Sequence, residues 1–567
     1  MKKLVVVGGV AGGASAAARA RRLDAKAKII IFERGEHVSF SNCCLPYYLS
    51  GTVADSDDLV MMDPKKFHVQ HDIDARTSSE VVAIKRADKK VVVKNLITGE
   101  EYEESYDKLV LAPGANPILP KSISGINRDN VYTIRNVTDI RALKTRIDQK
   151  NVNDIVVVGG GFIGIETAEN LSKDGKKVAV IEAMNQIMAP FDYDMVQILH
   201  KELDENGVKL FLSSSVVAIE DGCVKAVKNG KEFSVPADVV VMAVGVAPET
   251  KLAIACGLEI GETRGIKVNH NYQTSDPDIY AVGDAVEAYD ALMHCCGRLA
   301  LAGPAQRQAH AVADHIYGIP HNNNGFIGSF CIRIFEQNAA STGLNEKTAA
   351  KAGYKYDSVT IYAPDKVGIM PDSHYMVFKL IFEVPTGRVL GAQAIGQGDA
   401  DKRIDVIATM ITMHGTLEDL KELELCYSPV FSTAKDVVNL AAMVGLNILY
   451  NRFRQVHVAE VRNLVETGAF IVDVREENEF ARGHLNGAHN IPLSQLRTRI
   501  QEIPNDIPVY VHCRSSQRSY YALCYLQGIG YTNIINISGS FLGVSLYEYF
   551  NDKMENRTPI MDHYNFN

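Results

Sequence analysis

Residue types able to do chemistry concentrate first in VSFSNCCLPYYLSG, Val38 to Gly51, where Cys43 and Cys44 stand side by side. Adjacent cysteines seldom bridge each other, because the ring they would close is strained. A thiolate is a nucleophile toward sulfur, and positive charge or a helix dipole lowers the pKa of its thiol. One such sulfur held against an electron donor can open a sulfur–sulfur bond. Asn42 is placed to hydrogen-bond near the sulfur, and Ser39 to reach a substrate beside it. The blander alternative is a pair of buried spectator thiols, and for Cys44 that reading leads. Cys223, Cys256, Cys331 and Cys524 lie in apolar or strand-like surroundings and read as spectators. His294-Cys295-Cys296 supplies too few ligands at suitable spacing for a metal, so no metal site is expected.

An electron donor is suggested by two glycine-rich turns. LVVVGGVAGGASAAARARRL reads as strand, turn and helix, and KIIIFE follows as a second strand ending in Glu33. Gly8 and Gly13 take the outer positions of G-x-G-x-x-G, with Val10 at the middle one. DIVVVGGGFIGIETAENL repeats the pattern in full register at Gly159, Gly161 and Gly164, and the next strand ends in Glu182. Glycine lets the backbone turn sharply toward a pyrophosphate, the helix N-terminus stabilises its charge, and the acid binds a ribose hydroxyl. Two such units in one chain imply two dinucleotides. Glu182 would repel a 2′-phosphate, and no arginine follows it to hold one, so NADH is favoured over NADPH.

These elements need a large soluble scaffold. The chain has 567 residues, 46% apolar and 22% charged, enough for several domains with a substantial core. A net charge of −9 argues against a nucleic-acid partner. No window reads as a membrane span, and charged RARR breaks the N-terminal apolar run before it could serve as a signal, which points to the cytoplasm. Ten cysteines in such a chain do not form a disulfide framework.

Two further segments complete a resemblance. YDKLVLAPGANP resembles the strand and turn that leave the FAD domain of pyridine nucleotide-disulfide oxidoreductases, and TSDPDIYAVGDAVE resembles their late flavin motif. The resemblance implies an α/β fold: an FAD domain split over residues 1–113 and 245–325, an NADH domain at 114–244 and an α+β dimerisation domain at 326–446. It places Asp284 on the ribityl chain and Phe162 as an aromatic gate over the flavin. SFSNCCLPYY resembles the S-F-x-N-C-G-L-P-Y of coenzyme A-disulfide reductases and their persulfide-reductase relatives, with Cys43 on the flavin-facing cysteine and Cys44 in place of a glycine. That family's CoA-binding positions fall on Arg19, Arg22, Gln306 and His310. CYSPVFSTAKDVVN resembles the segment whose tyrosine, here Tyr427, crosses a homodimer to its partner's active site. A second tyrosine of the family is missing, since Ile369 and Met370 stand there.

After a linker at 447–462, residues 463–567 resemble a rhodanese domain. AFIVDVREENEFARGHLNGAHNIPL matches its opening, with Asp473 and Arg475 expected to be structural. Cys513-Arg514-Ser515-Ser516-Gln517-Arg518 matches the loop C-R-x-G-x-R, with Ser516 at the glycine. Backbone N–H groups in such a nest favour an anion, and Arg518 adds charge. The whole implies an FAD enzyme that uses NADH to reduce CoA disulfide, CoA persulfide or polysulfide at Cys43, with Cys513 carrying sulfur. The alternatives are an NADH oxidase or peroxidase, a flavin reductase of an organic acceptor such as an enoate, and a flavin redox sensor.

Overall fold

The computed structural model describes residues 2–566, which form two compact units. The first contains residues up to 185 and 207–326. Its first sheet is parallel, in the order Ile279–Ala281, Lys108–Leu111, Lys3–Val7, Lys28–Phe32 and Asp74–Arg76. A second parallel sheet runs Lys209–Phe211, Lys177–Ile181, Asp154–Val158, Val239–Met242 and Val131–Tyr132. The central strands are β-branched and buried on both faces, as a sheet covered by helices requires. The antiparallel ribbon of Ala115–Pro117 and Val246–Pro248 joins the two segments that lead between the sheets.

Each sheet meets its first helix through glycine. Gly8 has φ +94° and Gly159 φ +111°, conformations that disfavour any side chain. A Cβ on Gly13 would stand 1.8 Å from the Gly8 carbonyl oxygen, and one on Gly164 would stand 2.0 Å from that of Gly159. The helices Ala11–Leu23 and Phe162–Lys173 can therefore start only where the sequence supplies those glycines. Ala16, Ala17 and Ala20 keep the first helix slim where it packs beside Ala302–Ile316.

The second unit contains residues 186–206 and 327–567. An antiparallel sheet runs Phe330–Ile334, Gln337–Gly343, Val389–Gly396, Tyr375–Glu383 and Tyr356–Pro364. A parallel sheet follows, in the order Arg454–Val456, Ile534–Ile537, Val509–His512, Phe470–Asp473 and His489–Asn490, with an apolar core on each face. The fold class is therefore the one the sequence implies: two dinucleotide folds, an α+β domain and a terminal α/β domain. Ser540–Glu555, the last helix, packs on Tyr193–Glu205, where His200 and Phe550 lie 4.9 Å apart between ring centres. The Tyr362 hydroxyl fits against two glycines of this helix and its cap: a Cβ on Gly543 would lie 3.0 Å from that oxygen, and one on Gly539 3.1 Å from the Tyr362 ring.

Lys379 anchors this unit. It is 1% exposed, and its ammonium lies 2.8 Å from Asp194, 3.2 Å from Asp192 and 3.2 Å from Glu346. Burial alone would depress the lysine, but the three carboxylates hold it above its ordinary range. Burial pushes Asp192 up to about 6 against the pull of Lys379. Removing the cation leaves buried carboxylates uncompensated, which costs about 3–5 kcal/mol. Lys379→Met is therefore expected to lower the unfolding midpoint strongly at pH 8. The loss should shrink toward pH 5, because Asp192, with its folded pKa raised above its unfolded one, then takes up a proton. Thermal unfolding at the two pH values measures both.

Candidate active sites

The two glycine turns are closed by the same device. The Glu33 carboxylate accepts from Gly9 N–H at 2.9 Å and Gly35 N–H at 2.8 Å, one bond on each oxygen. The Glu182 carboxylate accepts from Gly160 N–H at 2.6 Å and Met184 N–H at 2.8 Å. Each acid thus locks its turn to the end of the following strand and keeps lone pairs for a ribose hydroxyl. A Cβ on Gly161 would meet nothing within 4 Å, so the approach to that turn is open. Phe162 begins the helix behind it and is half-buried.

Asp284 lies in the short turn Gly283–Ala285. Burial pushes its carboxyl up, and no hydrogen bond to it is found among the described residues. A buried acid of this kind is suited to a hydroxyl-rich ligand. The Gly283 N–H donates to Gln308 at 2.7 Å, so the Ala302–Ile316 helix holds the turn. The residues present thus fit two dinucleotides, one with a polyhydroxyl chain.

Cys43 and Cys44 form the short helical turn Asn42–Cys44, ahead of Leu45–Leu49. Cys43 is exposed, Cys44 is half-buried, and all ten cysteines are free thiols. Asn42 reaches the Arg135 carbonyl at 3.4 Å, and Ser39 is buried at φ +51° with its N–H on the Gly9 carbonyl at 2.8 Å. The turn is fixed to the second glycine helix by Ser50, whose hydroxyl donates to Asn170 at 2.6 Å. Although the residue is exposed, partial desolvation of the sulfur, then Glu166, Cys44 and Asp284, push the Cys43 thiol above its ordinary value. This is the reverse of the cationic setting that favours a thiolate. Glu166 itself is pushed up to about 7 by burial and by Glu169. It was not among the residues expected from the sequence, although its place one turn after Phe162 was a usable signal.

Other expected residues are placed differently. Arg19 is engaged by Asp314 at 2.7 Å, whereas Arg22 is exposed on the same helix. Gln306 and His310 are exposed on the Ala302–Ile316 helix, and Gln308, between them, is the buried one. Tyr427 is exposed near exposed Val430 and Phe431.

The third thiol is in the second unit. Cys513 follows the strand Val509–His512, is 1% exposed, and lies at the base of a cavity of about 350 Å³. Arg475, Arg482, Arg514 and Arg518 line this cavity, with Glu479 the acid among them. Arg518 is held by Glu479 through two bonds of 2.6 and 2.8 Å. Arg514 donates to the Asn565 carbonyl at 2.7 Å. Asp473 and Arg475 form a buried pair at 2.6 Å, and Arg475 also donates to the Gly483 carbonyl at 2.7 Å. Ser516 caps the Gln517–Gly528 helix with φ +73°. Tyr375, from the antiparallel sheet, borders the cavity.

Comparison with known proteins agrees with this layout. The family model "Pyridine nucleotide-disulphide oxidoreductase" matches residues 2–309, its dimerisation domain matches 332–437, and a rhodanese-like domain matches 457–546. A coenzyme A disulfide reductase of Staphylococcus haemolyticus is 33% identical over 444 residues, 78% of this chain and 98% of that protein. The crystal structure of reduced Bacillus anthracis CoADR-RHD is similar with a TM-score of 0.93 and 40% identity, covering 96% of this chain and 98% of that one. A NAD-dependent persulfide reductase from A. fulgidus matches with a TM-score of 0.90 and 35% identity, over 96% of this chain and 100% of that one. FAD and NADH, expected from the sequence, are the cofactors that go with this membership. The chain belongs to the pyridine nucleotide-disulphide oxidoreductases, with a dimerisation domain and a rhodanese-like domain in the same polypeptide.

Proposed function

We propose that this enzyme uses NADH to reduce the sulfur–sulfur bond of a small molecule, CoA disulfide, CoA persulfide or polysulfide, at Cys43, and that Cys513 carries sulfane sulfur. The observation that carries this reading is the pair of thiols in one chain. One is exposed on a turn tied to the second glycine helix, and the other sits in an arginine-lined cavity. The names of the relatives, coenzyme A disulfide reductase and NAD-dependent persulfide reductase, support it.

Glu33 and Asp284 would hold FAD, and Gly161, Phe162 and Glu182 would hold NADH. When bound, these cofactors supply the electron pair. The Cys43 thiolate attacks one sulfur of the substrate, forms a mixed disulfide and expels the other sulfur as a thiolate. Two electrons and a proton then split the mixed disulfide, release a thiol and restore the Cys43 thiolate. Glu166, pushed up to about 7 by burial and Glu169, would hold the proton that the leaving sulfur takes. The arginines around Cys513 favour an anionic persulfide there. Arg22, Gln306 and His310 are the exposed groups available to a CoA-linked substrate, while Arg19 must first leave Asp314. The active form is a cytoplasmic homodimer, in which exposed Tyr427, Val430 and Phe431 offer surface to a second copy.

Cys43→Ser should abolish NADH-dependent turnover of CoA disulfide and persulfide while NADH still bleaches the flavin; unchanged turnover would sink the proposal. Cys513→Ala should leave CoA disulfide reduction intact and remove sulfane-sulfur transfer from a persulfide donor. Glu166→Gln should move the alkylation profile of Cys43 to lower pH, since a charge that raises the thiol is gone. It should also remove the limb near pH 7 from the turnover profile. Peptide mass spectrometry after iodoacetamide treatment reads the first effect, and stopped assays across pH read the second.

A further inference from the structure

Two residues of the Cys513 site hold a backbone conformation that serine disfavours. Ser516 has φ +73° and Ser540 φ +51°. Non-glycine residues in the left-handed region cost about 1–2 kcal/mol each, and glycine would avoid that cost. Such strain, where it is kept, points to a use for the side chain. Ser540 is buried and Ser516 half-buried. Ser540 is 0% exposed, and its hydroxyl lies 3.1 Å from that of Ser516.

The hydrogen bonds assign their protons. The Cys513 N–H donates to the Ser540 hydroxyl oxygen at 3.1 Å, so this oxygen serves as an acceptor. The Ser516 hydroxyl donates to the Ile537 carbonyl at 3.2 Å, which uses its only proton. The Ser540 proton is left with three targets: the Ser516 oxygen at 3.1 Å, the Ile537 carbonyl, already taken by Ser516, at 3.5 Å, and the Cys513 sulfur at 3.9 Å. A neutral thiol is a weak acceptor, whereas an anionic sulfur draws a charge-assisted bond. The surrounding loop is held rigid. The Phe541 N–H donates to the Cys513 carbonyl and the Leu542 N–H to the Arg514 carbonyl, both at 3.1 Å. The last helix thus fixes the two peptide planes that follow Cys513.

We infer that Ser540 is a catalytic residue of the Cys513 site. Its hydroxyl turns from Ser516 to the sulfur whenever the sulfur is a thiolate or persulfide anion, and Ser516 is the positioning residue that parks the proton otherwise. This rests on the reading of Cys513 as a sulfur carrier. Arg475, Arg482, Arg514, Arg518, Glu479 and Tyr375 face the same cavity, with Asp473 and His512 behind them. They are unchanged in the variants below, so a shift reports the hydroxyl.

The test compares full-length holoenzyme with Ser540→Gly and Ser540→Ala. Iodoacetamide labelling of the Cys513 peptide is followed by mass spectrometry across pH, beside thermal unfolding. Loss of the hydroxyl should move the labelling midpoint up by about one pH unit in both variants, about tenfold slower labelling at neutral pH. The glycine variant should unfold at a higher temperature than the alanine variant, because both lose the bond to the Cys513 N–H but only glycine relieves the strain. An unchanged labelling profile in both variants, or a shift only in a variant that has lost stability, overturns the inference. The labelling does not depend on sulfur transfer. A parent enzyme that labels at Cys513 but carries no sulfane sulfur would therefore refute the carrier reading by itself, and the labelling comparison would still decide the role of Ser540.

Discussion

A carboxylate that accepts two backbone N–H groups is the constraint on which the first unit depends. Glu33 and Glu182 each tie a glycine turn to the strand beside it. The turn then has one geometry, and the helix behind it one starting point. The Cys43 turn inherits its place from this, because the helix it is fastened to by Ser50 and Asn170 begins at the second turn. A charged acceptor on two amides is a strong interaction, about twice a neutral one per bond. The same interaction occurs twice in the unit, at Glu33 and at Glu182.

The two thiols proposed to react sit in opposite electrical settings. Cys43 has acids near it and is held toward its neutral form. Cys513 has four arginines around its cavity, partly neutralised by Glu479 and Asp473. On the proposed reading, a division of labour follows from chemistry. A thiol that must be released cleanly after each cycle gains from easy protonation, and one that must hold an anionic sulfur gains from cations and amide N–H groups.

How much of this was legible in the sequence depended on distance along the chain. Gly8, Gly13, Gly159 and Gly164 could be read because their role is local: a positive φ, or a Cβ that would strike a carbonyl a few residues away. Glu33 and Glu182 were readable for the same reason, as each ends the strand after its turn. The turn at Cys43 was readable through resemblance, but its acidic surroundings were not, since Glu166 and Asp284 come from more than a hundred residues away. Gln308 on Gly283, Asp314 on Arg19 and the carboxylates around Lys379 escaped notice because nothing in their own neighbourhoods announces the contact. Ser516 was singled out as a serine in a glycine's place, and its left-handed conformation is observed. Ser540 lies 24 residues further on and joins it only in three dimensions.

Tyr362 bears on how such a chain can be recombined. Its ring and hydroxyl, from the antiparallel sheet, occupy the space that Gly539 and Gly543 leave open at the start of the last helix. The tyrosine and the two glycines are one shape divided between two modules. A terminal domain with side chains at those two positions would press them against Tyr362. A transplantable unit in this polypeptide therefore includes Tyr362 along with the terminal domain whenever the incoming helix lacks those glycines. A working chimera has to exchange the sheet edge together with the helix that rests on it.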